Sequence, residues 1–229
     1  MYQVKFYKGE YRARQNAANQ DGAVAYVEHH FNASQSPSAD YSLVIVGANA
    51  SQTSRNWGRW YAAAIAREFN TKVGGDQGIV VGGFNGRGDG NVRHTRMPAL
   101  LLEPLFVSNP RHAGIVKSLD GQARLAGVLV DSIQRFFPDG GLIAFSVGHK
   151  YKPSKPGDMG ASVVGGGAEA EFAEAVLERA KQSLENIGAV ESERRIRVLK
   201  GDTELFSQAI DDDAELVWDP VRGILRIIE

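Results

Sequence analysis

The chain has 229 residues, with 26 Lys and Arg against 27 Asp and Glu and a formal charge of −1, a balance that argues against a dedicated nucleic-acid binder. Hydrophobic residues at 43% and charged residues at 23% match ordinary globular chains, which sets aside disorder and fibrous architecture. No run approaches the roughly 18 apolar residues of a membrane span, and the N-terminus MYQVKFYKGEYRAR lacks the basic-then-apolar order of a secretory signal, while the absence of cysteine leaves only His, Asp and Glu to hold a metal.

Short apolar runs alternate with amphipathic stretches of helical length, which predicts an α/β fold with a mixed, mostly parallel central sheet flanked by helices. Strands are expected at 2–8 (YQVKFYK), 23–28 (AVAYVE) and 41–47 (YSLVIVG), and a helix over 52–69. GIVVGG at 78–83 reads as a short strand or an ordered loop, and FNGRGDGNVR at 84–93, with three glycines, as a mobile loop of the kind that often borders sites. ALLL at 99–102 is the next strand. A helix over about 120–137 follows, with Asp120 as N-cap, Leu125, Val128, Leu129, Ile133 and Phe136 on one face, and Pro138 ending it.

GLIAFSV at 141–147 is a further strand. From Glu169, the residues Phe172, Ala173, Val176, Leu177, Ala180, Leu184 and Ile187 recur at intervals of three and four, which predicts a helix stopped by Gly188. Residues 1–189 then form the main domain. The more polar 190–229, read as strand, helix (TELFSQAI) and hairpin, form a small α+β appendage.

Three of these strands run apolar and then end in a residue able to bind a metal or move a proton: AVAYVE at His29-His30, ALLL at Glu103 and GLIAFSVG at His149. In an open α/β sheet, the carboxyl ends of neighbouring parallel strands open into one crevice. Glu169, in the first turn of a helix behind the glycine-rich VVGGG, is a fourth candidate, favoured there by the helix N-terminus. Two imidazoles and one carboxylate make the His₂Glu set of a catalytic zinc site, and a second Glu can then act as general base and acid. Taken singly, each His is more simply a hydrogen-bonded structural residue and Glu169 a capping residue; Glu103 between ALLL and PLFV is costly to bury unless paired or used.

At these residues the sequence resembles the zinc-dependent N-acetylmuramoyl-L-alanine amidases of bacterial cell-wall metabolism and phage lysis. MPALLLEPLFVSNPRHA resembles the family's Pro, apolar strand, catalytic Glu and Ser-Asn-Pro, and RQNAANQDGAVAYVEHHFNAS its Arg, Ala-Asn, apolar strand and His-x-Asn-Ala. The family's opening unit, a strand ending in Gly-His, a glycine-rich loop and a helix bearing a Glu, is similar to 141–188 here, so the chain resembles a circular permutant.

The resemblance implies zinc ligands His30, His149 and Glu169, with Glu171 as the other choice on that helix, Glu103 as the catalytic carboxylate, and Arg93 as a contact for a substrate carboxylate. It implies Zn2+ as cofactor and peptidoglycan as substrate, cut at the amide between N-acetylmuramic acid and L-alanine. Another amide substrate, or a non-catalytic wall-binding role, are the alternatives. Action on the cell wall without a visible signal peptide points to a phage or prophage lysin, or to a protein exported by a dedicated machine. Lys150 stands where the family has Gly, and Pro104 follows the Glu where a small residue is common. Alternation along the strand puts Glu28 on the side of His30 and His29 on the other.

Overall fold

A computed structural model describes residues 1–191 and, beyond them, the backbone of four strands at 195–200, 203–209, 215–219 and 224–228. The elements in chain order are β1 (Tyr2–Phe6), α1 (Tyr11–Gln20), β2 (Ala25–His29), β3 (Tyr41–Val46), α2 (Gln52–Phe69), β4 (Lys72–Val73), β5 (Ile79–Val81), β6 (Ala99–Glu103), α3 (Pro110–Lys117), α4 (Leu119–Phe136), β7 (Gly141–Val147) and α5 (Glu169–Glu191). They are followed by β8 (Arg195–Lys200), β9 (Thr203–Ala209), β10 (Glu215–Asp219) and β11 (Ile224–Ile228). Two compact units result, Met1–Leu184 and Glu185–Glu229. Among the described residues no helix is long and apolar enough to cross a membrane.

The first unit holds a seven-stranded sheet in the order β1, β7, β2, β6, β3, β4, with β5 also on β3. β1, β7, β2 and β6 are parallel neighbours. β3 runs antiparallel to β6, and β4 and β5 pair parallel with β3. The sheet is therefore mixed and mostly parallel. Its central strands read as nearly unbroken apolar runs because both faces are covered: every residue of β2 is buried. Tyr26, Leu43, Ile45, Leu101 and Ala144 from four of the strands pack with Ala18 of α1 in one core cluster.

The helix ends follow local chemistry. Ser51 caps α2 by accepting from the Ser54 amide, and Asn70 closes it in the left-handed region at φ 50°. Asn109 caps α3 with Pro110 in its first turn. Trp57 Nε1 donates to Ser132 Oγ at 3.0 Å, tying α2 to α4. The α5 stripe is buried at Ala173, Val176, Leu177, Ala180 and Leu184.

Several expectations are corrected. The cap of α4 is Ser118, which accepts from the Gly121 amide, and Asp120 sits in the first turn beside Arg124 at 3.6 Å. α5 continues through Gly188 to Glu191, since a glycine inside a helix costs about 1 kcal/mol without ending it. TELFSQAI, expected as a helix, is strand β9, antiparallel to β8 with an irregularity between Val198 and Leu199. Eight residues make a marginal helix alone, whereas the hairpin satisfies their backbone groups. β10 and β11 form the expected second hairpin.

The segment 84–93 is not loose. Phe84 and Arg87 exchange backbone hydrogen bonds at 3.0 Å, a 3₁₀ turn spans Asp89–Asn91, and buried Asp89 accepts from the Ala48 amide at 2.8 Å. Two helices lacked a sequence signal, α1 and α3. The inward face of α1 is Arg14, Gln15 and Ala18, so no apolar stripe marks it.

Candidate metal centre and cleft

Because β7, β2 and β6 are parallel neighbours, their carboxyl ends open on one edge of the sheet. His30 directly follows β2, Glu103 is the last residue of β6, and His149 lies two residues beyond β7. The first turn of α5 brings Glu169 to the same place. These four residues line one cleft of about 790 Å³ together with Tyr11, Arg87, Lys152, Lys155 and Asp158.

Three donor atoms converge there. His30 Nδ1 is 3.0 Å from Glu169 Oε1, and His149 Nε2 is 3.3 Å from the same oxygen. The three residues offer one atom each within 4.8 Å of one another. Donors held about 2.0–2.1 Å from a tetrahedral zinc stand roughly 3.3 Å apart, so the set fits that ion. Close approach is needed to assemble it: a Cβ on Gly148 would come within 2.4 Å of the His30 ring, and one on Gly160 within 2.5 Å of Glu169 Oε2. His149 itself adopts a left-handed backbone at φ 62°.

Each imidazole is oriented by its other nitrogen, as metal-binding histidines require. His30 Nε2 meets Glu28 Oε1 at 3.0 Å, and that carboxylate also accepts from Asn91 Nδ2 at 2.5 Å and Tyr26 OH at 3.3 Å. The fully buried Arg14 guanidinium lies 3.8 Å from Glu28 and is fixed by the Ser146 hydroxyl and the Val147 carbonyl. His149 Nδ1 meets Asp158 Oδ1 at 3.1 Å, and Lys152, only 6% exposed, binds Asp158 Oδ2 at 2.7 Å.

The electrostatics call for a positive charge between the carboxylates. Burial alone would lower the proton affinity of His30, but hydrogen bonds to Glu169 and Glu28 overcome it and push the imidazole up to about 10. Burial would raise Glu169, yet the two histidines hold it well below the usual carboxylate range. Glu28 is likewise lowered against its burial, chiefly by the Arg14 charge. A bound cation can take the place of the proton that these carboxylates attract.

Glu103 behaves differently. Its Oε2 is buried with no hydrogen-bond partner among the described residues. Burial, opposed by the His30 charge and aided by the Glu169 charge, pushes its carboxyl up to about 7. It is a carboxylate poised to exchange a proton near neutrality.

Of the residues singled out in the sequence, His30, His149, Glu169 and Glu103 are brought together. Glu171 instead accepts from the Ala168 amide at 3.0 Å at the start of its own helix. His29 points away, its ring 4.9 Å from that of Phe31, and burial drives its proton affinity down to about 3. Arg93 binds Asp89 at 2.9 Å and is not among the residues lining the cleft; Arg87 is. Sequence reasoning matched Arg14 to the family's Arg without giving it a role, and missed Asn91, Lys152 and Asp158, none of which stands in a periodic or strand-end pattern.

The model of a family described as N-acetylmuramoyl-L-alanine amidase matches residues 3–135. Solved structures with similarity include the catalytic domain of an N-acetylmuramoyl-L-alanine amidase from Bacillus (Paenibacillus) polymyxa var. colistinus, at 25% identity over 56% of this chain and 66% of that one, with a TM-score of 0.47. One from Clostridium difficile 630 gives 22%, 56%, 66% and 0.49, and an N-acetylmuramyl-L-alanine amidase from Mycobacterium smegmatis 18%, 56%, 60% and 0.42. The match spans less than two thirds of each of these chains. No match was found among curated proteins.

Proposed function

Since the chain belongs to the N-acetylmuramoyl-L-alanine amidase family, we propose that it is a zinc-dependent hydrolase of the amide between the lactyl group of N-acetylmuramic acid and L-alanine in peptidoglycan. The observation that carries this reading is the meeting of His30, His149 and Glu169 beside the unpartnered Glu103 oxygen in one cleft. A zinc ion held by that triad supplies Lewis-acid chemistry, acidifying water and polarising a carbonyl.

The chain's own residues do the rest. Glu103, as carboxylate, takes a proton from the attacking water and returns it to the departing alanine nitrogen, so the C–N bond breaks to give a carboxylate and a free amine. Glu28 and Asp158 hold the two imidazoles in the tautomers that leave His30 Nδ1 and His149 Nε2 free to act as ligands. Arg14 keeps Glu28 ionised inside the sheet.

We read the chain as a circular permutant as well. Two of the three ligands, His149 and Glu169, fall outside the 3–135 stretch that the family model matches. β7, late in the chain, inserts between β1 and β2, and the Gly141 amide donates to the Met1 carbonyl at 3.0 Å. Residues 1–189 are then the catalytic domain, 190–229 an appended unit, and the cell wall the place of action.

The test is digestion of purified peptidoglycan with wild-type protein and Glu103→Gln. New N-terminal alanine from the wild type alone supports the reading; amines other than alanine, or none, overturn it.

A further inference from the structure

Tyr11 opens α1 and lines the cleft, half-buried. Its hydroxyl oxygen accepts from Lys152 Nζ at 3.1 Å. An ammonium offers donors only, so the Tyr11 O–H proton cannot point back at Lys152 and needs an acceptor elsewhere. Among the described residues that hydroxyl has no acceptor. Two buried cations stand close to the ring: the Lys152 ammonium and the Arg14 guanidinium are each 5.1 Å from its centroid. Lys152 stays charged, because hydrogen bonds to Asp158 and Tyr11 outweigh the burial that would lower its proton affinity. A donor bound to the phenol oxygen polarises its O–H bond, as in any chain of hydrogen bonds, and strengthens what that O–H can donate.

The phenol is also held in place. Glu10, beside it, accepts from the Ser154 amide at 2.8 Å, and Gln15 Nε2 donates to the Tyr11 carbonyl at 3.0 Å. The start of α1 is thus tied to the loop after β7 at two points, Glu10 and Tyr11. Strand order sets where it stands. β1, which leads into α1, and β6, which ends in Glu103, flank β7 and β2, whose ends lead to His149 and His30. Proton carrier and hydroxyl therefore lie on opposite sides of the two imidazoles. A base on one flank delivers water to a carbonyl carbon from that flank, and a donor on the other is placed to meet the oxygen onto which the C=O electron pair moves.

We propose that Tyr11 is a further catalytic residue, whose hydroxyl donates a hydrogen bond to the carbonyl oxygen of the scissile amide as that oxygen becomes negative in the tetrahedral intermediate. The proton stays on the phenol. The electron pair re-forms C=O when the C–N bond breaks and Glu103 passes its proton to the departing nitrogen. This deepens the amidase reading and rests on it.

The test is Tyr11→Phe, which removes one oxygen and keeps the ring beside Arg14. With zinc content equal to wild type, kcat on a soluble muramoyl pentapeptide should fall about 10–100-fold while KM moves by less than about twofold, as expected of a contact made only in the transition state. A phosphinate analogue of the N-acetylmuramoyl-L-alanine amide, which carries the tetrahedral oxyanion, should bind Tyr11→Phe more weakly by a similar factor in calorimetry. The uncleaved peptide should bind Glu103→Gln equally with and without Tyr11→Phe. Unchanged kcat, or a higher KM with kcat kept, overturns the role while leaving the hydrolase in place. Loss of zinc in Tyr11→Phe assigns the phenol to holding the loop of His149 and overturns it as well. If the wild type cleaves no muramoyl amide, the amidase reading falls and the phosphinate decides: weaker binding by Tyr11→Phe upholds the donor, and equal binding or none overturns it.

Discussion

His30 Nδ1 and Glu169 Oε1 stand 3.0 Å apart although 139 residues separate them along the chain. One lies at the end of a strand near the N-terminus, the other in the first turn of the last helix of the first unit. Neither position means much alone; together with His149 they make a set of donors that could hold a metal ion.

Zinc content follows from that geometry. Wild-type protein should carry about one zinc per chain, and His149→Ala, which leaves two donors of a three-residue set, should carry almost none after dialysis. Elemental analysis of both proteins checks it, and equal content would mean that the segment after β7 does not supply a ligand.

Glu103→Gln should keep its zinc and lose activity by about 10²–10⁴-fold, the usual contribution of a positioned proton carrier. Wild-type activity should depend on pH with a definite sign. The carboxyl is pushed up to about 7, and only its ionised form accepts a proton, so kcat/KM should fall as pH drops below about 7, or below a lower value when the bound cation adds its charge. A pH profile that is flat between 5 and 8, on the order of the range this carboxyl spans, would remove Glu103 from that role.

Glu28→Gln should weaken zinc binding by about 10–100-fold, because it removes the carboxylate that orients His30 and leaves the buried Arg14 charge without its partner. Competition with a chromophoric chelator reads this directly. An unchanged affinity would show that Asn91 and Tyr26, not His30, are what Glu28 serves.

Chelation should lower the melting temperature. An ion present at a hundred times its dissociation constant contributes about 2.7 kcal/mol to the folded state, which for a chain of this size is a shift of roughly 5–10 °C. Calorimetry with and without chelator tests it, and His149→Ala should show little difference between the two conditions.

Much of the site is legible in the residues themselves. The apolar runs AVAYV, ALLL and GLIAFSV name buried strands, and the ionisable residue that ends each one marks where the chain leaves the sheet. Alternation along β2 correctly separates Glu28 from His29. The roles of the residues that support the site, Arg14 among them, were not legible, because their signal is not periodic. Arg14 and Gln15 lie on the inward face of a helix that has no apolar stripe, and Lys152 and Asp158 sit in a proline- and glycine-rich loop that reads as solvent-facing until both are seen against His149. In the tail, Leu205, Phe206 and Ala209 suit helical spacing as well as a strand, and pairing with β8 decides between them.

The sequence by itself determined the α/β class, the five longer strands of the main sheet, and the residue types at their carboxyl ends, because side-chain period and burial are local properties read within a few residues. Tertiary structure alone decided that β7 lies between β1 and β2, that Arg87 rather than Arg93 lines the cleft, and that Glu28 and Asp158 back the two imidazoles. Strand order and loop placement join segments more than a hundred residues apart, and they are set by how the whole core closes rather than by any stretch within it.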